Sequence, residues 1–354
     1  MKSGGLRMTE LQEFKCPNCG GKMEFNAAEQ KLKCPYCDTV CEIADFEEKP
    51  DHYESSAETY SDESLHVYSC NNCGGQIIMD ENTVASACPY CGNPVVMVSN
   101  VVGENQPSRI IPFKLDKEKA KAEFKKHLDN KKFLPDAFKE TSHLDEIKGL
   151  YVPFWIFDGE GEASLNFSAQ TVRSWRSGDY EYTETSYYHL HREGDISFSA
   201  VPVDGSSKIE DELMQSIEPF DVKDAVPFNK AYLSGYMADK YDVGPEESVK
   251  VANNRIKNST VSYISSTTSG YSNVSYTGGN VHVSKGVQEY VFYPVWLMKT
   301  KWNGKDYTFA MNGQTGKFVG DLPSDPGKIT KTSIMTFLIS AIAIFAVELA
   351  VIFL

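Results

Sequence analysis

The chain has 354 residues, of which 41% are hydrophobic, 24% charged and 12% aromatic. At ~150 residues per domain this length allows about two globular domains with smaller modules, and it excludes a mini-protein. The composition also excludes a collagen-like or wholly disordered chain. Thirty-five Lys and Arg against forty-nine Asp and Glu give a formal charge of −14, which opposes long-range attraction to nucleic acid or to an anionic membrane surface.

The N-terminal end carries most of the excess acidity. Residues 1–107 contain seven basic and seventeen acidic side chains. No apolar stretch of about 7 to 15 residues follows the first residues, so no signal peptide is predicted and the cysteines are expected in a reducing cytosol. In that compartment the nine cysteines are expected to be metal ligands or buried thiols rather than disulfides.

The spacing of eight cysteines is the strongest pattern in the sequence. They form four Cys-x-x-Cys pairs: Cys16 and Cys19, Cys34 and Cys37, Cys70 and Cys73, Cys88 and Cys91. Fourteen residues separate the first pair from the second, and fourteen separate the third from the fourth. Each such turn presents two thiolates to one metal, and two turns complete a tetrahedral set. The pattern predicts two tandem zinc ribbons, at 12–44 and 67–98, with two structural Zn²⁺ ions per chain.

Four thiolates leave no open coordination position, so both sites are expected to be structural, with zinc favoured over iron. Each metal has one of two roles: it only stabilises a ribbon whose hydrophobic core is too small to fold without it, or it also shapes a docking surface. The segment from Cys70 to Cys91 contains no Lys or Arg, which favours a protein partner over DNA. The leftover Cys41 is expected to be a small buried residue of the last ribbon strand rather than a fifth ligand.

The remainder up to residue 325 predicts an acidic linker and an α+β body. Residues 45–66 have the composition of a solvated, flexible linker. A strand at 110–113 and a helix from the N-cap Asp116 to about Leu128 begin the body. The lysines of that helix form either a solvated face or a surface facing anionic lipid.

The body contains a weaker internal repeat. Residues 111–113 match 226–228, and residues 151–155 match 292–296, which predicts two antiparallel α+β repeats at 108–205 and 206–325. A helix is predicted from about Pro245 to Ile256, and 258–286 is expected to form either exposed hairpins or a mobile loop.

Two turns are predicted near the end of the body. Asn303-Gly304 between strand-like runs predicts a type I′ hairpin. A second turn is predicted at 312–316.

No catalytic motif is present in the sequence. We find no nucleophile motif, dinucleotide fingerprint, phosphate-binding loop or His-Glu-x-x-His helix. His189 and His191 lie on the same face of a predicted strand, where they could bind a metal together with a carboxylate from another strand. An ordinary half-exposed strand is the preferred interpretation. We therefore predict no catalytic residues, no small-molecule substrate and a non-enzymatic protein.

Residues 333–354 contain a single charged residue, Glu348. At ~1.5 Å per residue they span about 33 Å, enough for a hydrocarbon core of ~30 Å, which predicts a transmembrane helix. Lys328 and Lys331 precede it, so the N-terminal domains of this single-pass cell-membrane protein are predicted to be cytoplasmic. Glu348 is expected either to reach the headgroups or to meet a polar group on a partner helix.

Tandem ribbons, aromatic Pro-x-Trp strands, the turn Asn312-Gly-Gln-Thr-Gly-Lys317 and a C-terminal span occur together. In these features the sequence resembles bacterial membrane-anchored proteins with TFIIB-type zinc ribbons. The transcription analogy in that description concerns the ribbon fold alone. The resemblance implies a setting with phage-shock-protein-A-like or SPFH (flotillin-like) partners at stressed membranes.

Three functions are compatible with these features. The first is a non-enzymatic, membrane-anchored cytoplasmic adaptor or scaffold that recruits protein partners. The alternative is a nucleic-acid-binding zinc-ribbon protein at the membrane, which the acidic ribbons disfavour. The third is a hydrolase or chaperone-like enzyme, which the lack of a catalytic motif disfavours.

Overall fold

The computed structural model of the chain describes residues 11–12, 14–46, 65–69, 76–80, 83–87, 94–97, 106–139 and 147–353. In these ranges the helices are α1 (Lys117–Asp129), α2 (Asp136–Lys139), α3 (Asp211–Ser216), α4 (Pro245–Ser266) and α5 (Pro326–Phe353). The strands are β1 (Leu11–Gln12), β2 (Glu24–Asn26), β3 (Lys31–Lys33), β4 (Val40–Cys41), β5 (Leu65–Ser69), β6 (Gln76–Asp80), β7 (Thr83–Ala87), β8 (Pro94–Met97), β9 (Arg109–Ile110), β10 (Lys148–Ser177), β11 (Tyr180–Asp204), β12 (Val226–Pro227), β13 (Met237–Asp239), β14 (Asn273–Trp302), β15 (Lys305–Asn312) and β16 (Phe318–Gly320). This mixture of helices and mainly antiparallel strands confirms the predicted α+β class. Most of the predicted acidic linker, residues 47–64, lies outside the described residues.

The strands β10 and β14 form the centre of the main sheet. Both contain thirty residues, and they pair antiparallel from Lys148 opposite Leu297 to Gln170 opposite Asn273. Around Val152 the pair is buried on both faces, so apolar residues follow one another without the alternation of a half-exposed strand. One face packs against the buried residues of α1 and the other against those of α3.

Two indole hydrogen bonds connect this strand pair to the loops that precede the two longer body helices. Trp155 of β10 donates through Nε1 to the carbonyl of Val243, two residues before α4, at 2.9 Å. Trp296 of β14 donates in the same way to the carbonyl of Leu115, two residues before α1, at 3.1 Å. The two bonds are equivalent, so the regions around α1 and α4 occupy matching positions.

A second pair of contacts follows the same correspondence. The backbone N–H of Gly205 donates to the carbonyl of Pro153 at 2.9 Å, and that of Gly313 donates to the carbonyl of Pro294, also at 2.9 Å. Both prolines lie in the buried part of the central strands. Equivalent returning strands, β11 and β15, therefore end against equivalent points of β10 and β14.

The short strands β9 and β13 also occupy matching positions. β9 adds parallel to β14 at Val291, and β13 adds parallel to β10 at Leu150. The structural counterpart of β9 is therefore β13, and the predicted match of 226–228 with 111–113 is wrong: β12 instead pairs antiparallel with β9. A match of three residues that include Pro and Phe is too short to decide whether β12 or β13 is the counterpart of β9.

Beyond the buried centre, β10, β11 and β14 continue as a three-stranded extension at 158–200 and 273–288, here called the arm. Helix α4 packs along the near part of the arm, where Gly161 lies so close that an added Cβ would come within 2.4 Å of Thr260 Oγ1. A glycine is needed at this crossing because any side chain would displace the helix.

The segment 258–286 differs from its prediction. Helix α4 continues to Ser266, and β14 begins at Asn273, so the segment is neither a set of exposed hairpins nor a mobile loop. The hydroxyl of Thr260 donates to the carbonyl of Ile256 at 2.8 Å. This bond satisfies the buried hydroxyl of Thr260, and burial of this face against the sheet offsets the weak helix preference of a Ser- and Thr-rich segment.

Several local predictions are confirmed. Asp116 caps α1 by accepting from the N–H of Lys119 at 2.8 Å. Asn303 and Gly304 have φ values of +47° and +79° between β14 and β15, as a type I′ turn requires. Gly316, with φ +78°, forms the second predicted turn.

Helix α5 is long and apolar enough to cross a membrane over Pro326–Val347, and none of that segment is buried. The helix begins seven residues before the predicted start at 333 because Asp325 accepts from the N–H of Gly327 at 2.8 Å and caps the first turn. Lys328 donates to the carbonyl of Leu134 at 2.8 Å. The first turn of the helix is therefore attached to the body.

One matched position of the two halves carries different chemistry. Asp204 ends β11 and Asn312 ends β15, and each accepts through Oδ1 from the N–H two residues later. The Nδ2 of Asn312 donates to the carbonyls of Ile217 and Pro219, both at 3.0 Å. The second oxygen of Asp204 is buried without a partner, and burial raises the pKa of Asp204 to about 7.

Asp204→Asn is expected to stabilise the fold increasingly as the pH rises. Between about pH 4 and pH 7, Asp204 is ionised in the unfolded chain but still protonated in the folded protein. The free energy of unfolding of the wild type therefore falls by ~1.4 kcal/mol per pH unit over this range. Urea unfolding in phosphate buffer with detergent should therefore show a difference in the free energy of unfolding between variant and wild type that increases by about 2 kcal/mol between pH 5.5 and 7. Asp179→Asn, at an exposed turn, is the control; a gap for Asp204→Asn that does not change with pH would contradict the assignment.

Candidate metal centre

The first Cys-x-x-Cys turn is closed by two backbone hydrogen bonds. The N–H of Gly20 donates to the carbonyl of Cys16 at 2.9 Å, and the N–H of Cys16 donates to the carbonyl of Gly21 at 2.7 Å. Gly20 has φ +68°, a conformation that glycine adopts without steric cost. Glycine directly after the second cysteine therefore allows this tight turn.

The second turn repeats this geometry with another residue type. The N–H of Asp38 donates to the carbonyl of Cys34 at 3.0 Å, and the N–H of Cys34 donates to the carbonyl of Thr39 at 2.9 Å. Asp38 takes the left-handed position with φ +57°, which Asp tolerates better than most residues. The two turns therefore present their thiols alike.

The four thiols of the first ribbon converge on one point. The Sγ atoms of Cys16, Cys19, Cys34 and Cys37 all lie within 4.8 Å of one another. Sγ–Sγ distances are 3.6 Å from Cys16 to Cys37 and 3.5 Å from Cys19 to Cys34. A tetrahedral zinc ion with Zn–S bonds of ~2.3 Å separates its sulfurs by about 3.8 Å, so the set fits one such metal and leaves no position for substrate.

The thiols also have the electrostatics of a cation site. The hydroxyl and backbone N–H of Thr39 lower the pKa of Cys37 to about 6. The Gly21 amide acts to lower the pKa of Cys19, but the neighbouring thiols of Cys37 and Cys34 raise it to about 12. Thiolates this close repel one another, so all four ionise together only around a cation.

Cys41 lies outside the group of four thiols. It occupies β4, the last strand of the ribbon, opposite Leu32, and is partly buried against the core. Burial raises the pKa of its thiol. The structure thus places it as a packing residue rather than a fifth ligand.

The ribbon packs directly on the body. The Ser234 hydroxyl donates to the carbonyl of Met23 at 2.6 Å, and the N–H of Phe25 donates to the carbonyl of Ser234 at 2.9 Å. Gln30 Nε2 donates to the carbonyl of Phe113 at 2.7 Å. These hydrogen bonds to main-chain carbonyls fix the ribbon in position, so a metal bound by the four thiols would support the body as well as the ribbon.

The second cysteine set, Cys70, Cys73, Cys88 and Cys91, lies outside the described residues. Its two flanking hairpins are described, with β5 paired to β6 and β7 paired to β8. Their last pairs before each cysteine turn are Ser69 opposite Gln76 and Ala87 opposite Pro94. The first ribbon has the corresponding pairs, 54 residues earlier, at Lys15 opposite Lys22 and Lys33 opposite Val40.

The hairpin β7–β8 belongs to the main sheet. Ala85 of β7 lies opposite Ala238 of β13, and Met97 of β8 lies opposite Leu11 of β1. Strands therefore lie on both sides of the β7–β8 hairpin of the predicted second ribbon, and β1, which precedes the first ribbon, is the outer strand at this edge.

The histidine pair does not form a metal site. His191 contacts Asn166 through Nδ1 at 2.9 Å and Glu193 through Nε2 at 3.0 Å. Among the described residues, three or more His, Cys, Asp or Glu ligand atoms come together only in the four cysteines of the first ribbon. The preferred interpretation of a partly exposed strand is consistent with this arrangement.

Comparison with known proteins identifies a relative but no solved structure. No family model and no solved structure matches the chain. The uncharacterized protein YdjG of Bacillus subtilis (strain 168) is 34% identical over 316 residues, covering 89% of this chain and 91% of the relative. At this identity and coverage the two share a fold along nearly their whole length, and the chain belongs to the family of YdjG.

Proposed function

We propose that the protein is a membrane-anchored, cytoplasmic zinc-ribbon adaptor that recruits protein partners. The observation that carries the proposal is the arm, whose far part extends beyond α4 and exposes a group of aromatic side chains. Tyr180 is 72% exposed, and Tyr182 and Trp175 on the same face are 46% and 43% exposed. Large aromatic residues on a rigid projecting sheet are typical of protein interfaces, where Tyr and Trp bury much area at little conformational cost.

The exposed aromatic residues are ordered before any partner binds. Trp175 and Tyr182 stack with ring centroids 5.6 Å apart and an interplanar angle of 12°. The guanidinium carbon of Arg173 lies 5.8 Å from the centre of the Trp175 ring. A partner would therefore meet a preformed surface, which lowers the entropy cost of docking.

Charge pairing on both faces of the arm favours protein over nucleic acid as the partner. Arg173 lies opposite Glu184 and Arg176 lies opposite Glu181 in the strand register. Each arginine thus faces a carboxylate that offsets its attraction for phosphate. Stacking platforms for single strands combine aromatics with an excess of positive charge, and this excess is lacking in the arm's paired strands.

We further propose that both cysteine sets bind structural zinc. The geometry of the first set supports one ion, and the identical hairpin registers 54 residues apart support the second. The matching contacts around Trp155 and Trp296 support a duplicated α+β body with counterparts at β9 and β13.

The proposed location is the cell membrane, with α5 as a single span. Its capped first turn is tied to the body through Lys328, and its apolar side chains are exposed along the span. A body held this close to the headgroups would present the arm to membrane-associated proteins. Phage-shock-protein-A-like or SPFH-type partners, implied by the resemblance to TFIIB-type zinc-ribbon proteins, remain the proposed class.

Zinc content distinguishes the two proposed sites. Cys34→Ser and Cys73→Ser should each lower the bound zinc by one ion per chain, because three thiolates hold the metal more weakly than four. Inductively coupled plasma mass spectrometry of the detergent-solubilised full chain measures this directly. Cys41→Ser, which removes a thiol outside the four-cysteine group, should keep the wild-type zinc content; unchanged zinc in Cys73→Ser would refute the second site.

Loss of the aromatic surface should abolish recruitment. We expect Trp175→Ala combined with Tyr182→Ala to reduce co-purification of partner proteins at least tenfold, because interface aromatics dominate binding energy. Affinity purification of the solubilised full chain, with and without nuclease, is the measurement. Tyr263→Ala, 62% exposed on α4, is the control, and nuclease-sensitive recovery of nucleic acid would support the alternative function instead.

A further inference from the structure

A cavity of about 240 Å³ lies between α3, α4 and the ends of β10 and β11. Its apolar wall is formed by Phe154, Val203, Met214, Val243 and Val251. The cavity lies apart from the metal centre and the arm, so neither the zinc sites nor the proposed docking surface accounts for it.

Two buried polar groups of this cavity have no hydrogen-bond partner. They are the Oδ2 of Asp204 and the Oγ of Ser248, and both atoms are shielded from solvent. Ser248 is only 1% exposed. An unpaired buried polar group costs ~1–3 kcal/mol, so two of them facing one cavity call for an explanation, and a bound ligand that pairs with both is one.

The positions that match Asp204 and Ser248 in the other half of the body carry side chains without unpaired polar atoms. The counterpart of Asp204 is Asn312, whose amide donates to the carbonyls of Ile217 and Pro219. The counterpart of Ser248, at the same place in its helix, is the fully buried Ala120. The half with the cavity thus has a carboxylate in place of an amide and a hydroxyl in place of a methyl group.

The charge around the cavity favours a cation. Asp211 and Glu247 line it and are exposed at its mouth. Arg255 is its lone cationic lining residue, and it is engaged by Glu218 at 3.0 Å and by the carbonyl of Pro202 at 2.6 Å. The carboxylates of Asp204, Asp211 and Glu247 therefore remain to attract positive charge.

We propose that this cavity binds a small aliphatic amine in its protonated form. The ammonium group donates to Asp204 and Ser248, and the alkyl chain packs against the apolar wall near Phe154 and Met214. A bare divalent cation fits less well, because calcium takes six to eight oxygen ligands and the described cavity offers two unpartnered buried oxygens beside five apolar side chains.

Calorimetric titration of the full chain with n-butylammonium chloride tests the proposal, in uncharged detergent and phosphate buffer at about pH 8, where both charges are present. We expect one saturable site per chain. Asp204→Asn and Ser248→Ala, which copy Asn312 and Ala120, should each weaken binding at least tenfold, since a charge-assisted hydrogen bond is lost. Asp179→Asn should bind like the wild type, and the neutral isostere n-butanol should not compete.

Circular dichroism and zinc content of each variant establish that the fold is intact. Saturable binding lost in both variants supports the amine site. Equal binding by wild type and variants, or no saturable heat in the millimolar range, would overturn it. In a parallel titration in borate buffer, which avoids precipitation of calcium phosphate, calcium chloride that saturates the same site more tightly than the amine would also overturn it, in favour of a metal site.

Discussion

The pairing of β10 with β14 is the interaction on which the rest of the structure depends. It brings together two aromatic segments that are 141 residues apart, and Val152 lies opposite Tyr293 at their centre. From this pair, Trp155 and Trp296 reach the loops before α4 and α1. Both helices, both added parallel strands and the arm are therefore positioned by one buried strand pair. Its loss would separate the two halves, because each half donates its indole bond to the other.

The first ribbon and helix α5 are attached to this unit by specific hydrogen bonds, and Phe14, Met23 and Phe25 of the ribbon extend the hydrophobic core of the body. The first ribbon has short strands of two or three residues, too few to fold independently without a metal. The side chains of Ser234 and Gln30 attach it to the body by donating to main-chain carbonyls, so zinc bound at the four thiols would order a surface larger than the ribbon. At the other end Lys328 fixes the start of α5. In the proposed adaptor these attachments keep the arm at a defined distance from the bilayer.

Features encoded over a few residues could be predicted from the sequence. The cysteine spacing, the Asp116 cap and the Asn303-Gly304 turn each follow from local stereochemistry, and the structure confirms the geometry of those it describes. The length of α4 could not be predicted, because Ser and Thr are weak helix formers and the helix is stabilised by packing of one face against the sheet. The correspondence of β9 with β13, and the cavity at Asp204 and Ser248, depend on pairing across the two halves. No local motif marks such positions: Asp204 follows Trp155 by 49 residues whereas Asn312 follows Trp296 by 16, so aligning the Pro-x-Trp strands does not bring Asp204 and Asn312 together.

Photocrosslinking from position 180 in intact cells tests the adaptor proposal most directly. A benzophenone amino acid in place of Tyr180, which is 72% exposed and lies on the same strand face as Tyr182 two residues later, would report on whatever the aromatic surface contacts at the membrane. The adaptor function predicts a discrete protein adduct in the membrane fraction that is resistant to nuclease and is lost when Trp175 and Tyr182 are both replaced by Ala. A nuclease-sensitive adduct, or the absence of any protein adduct, would contradict it.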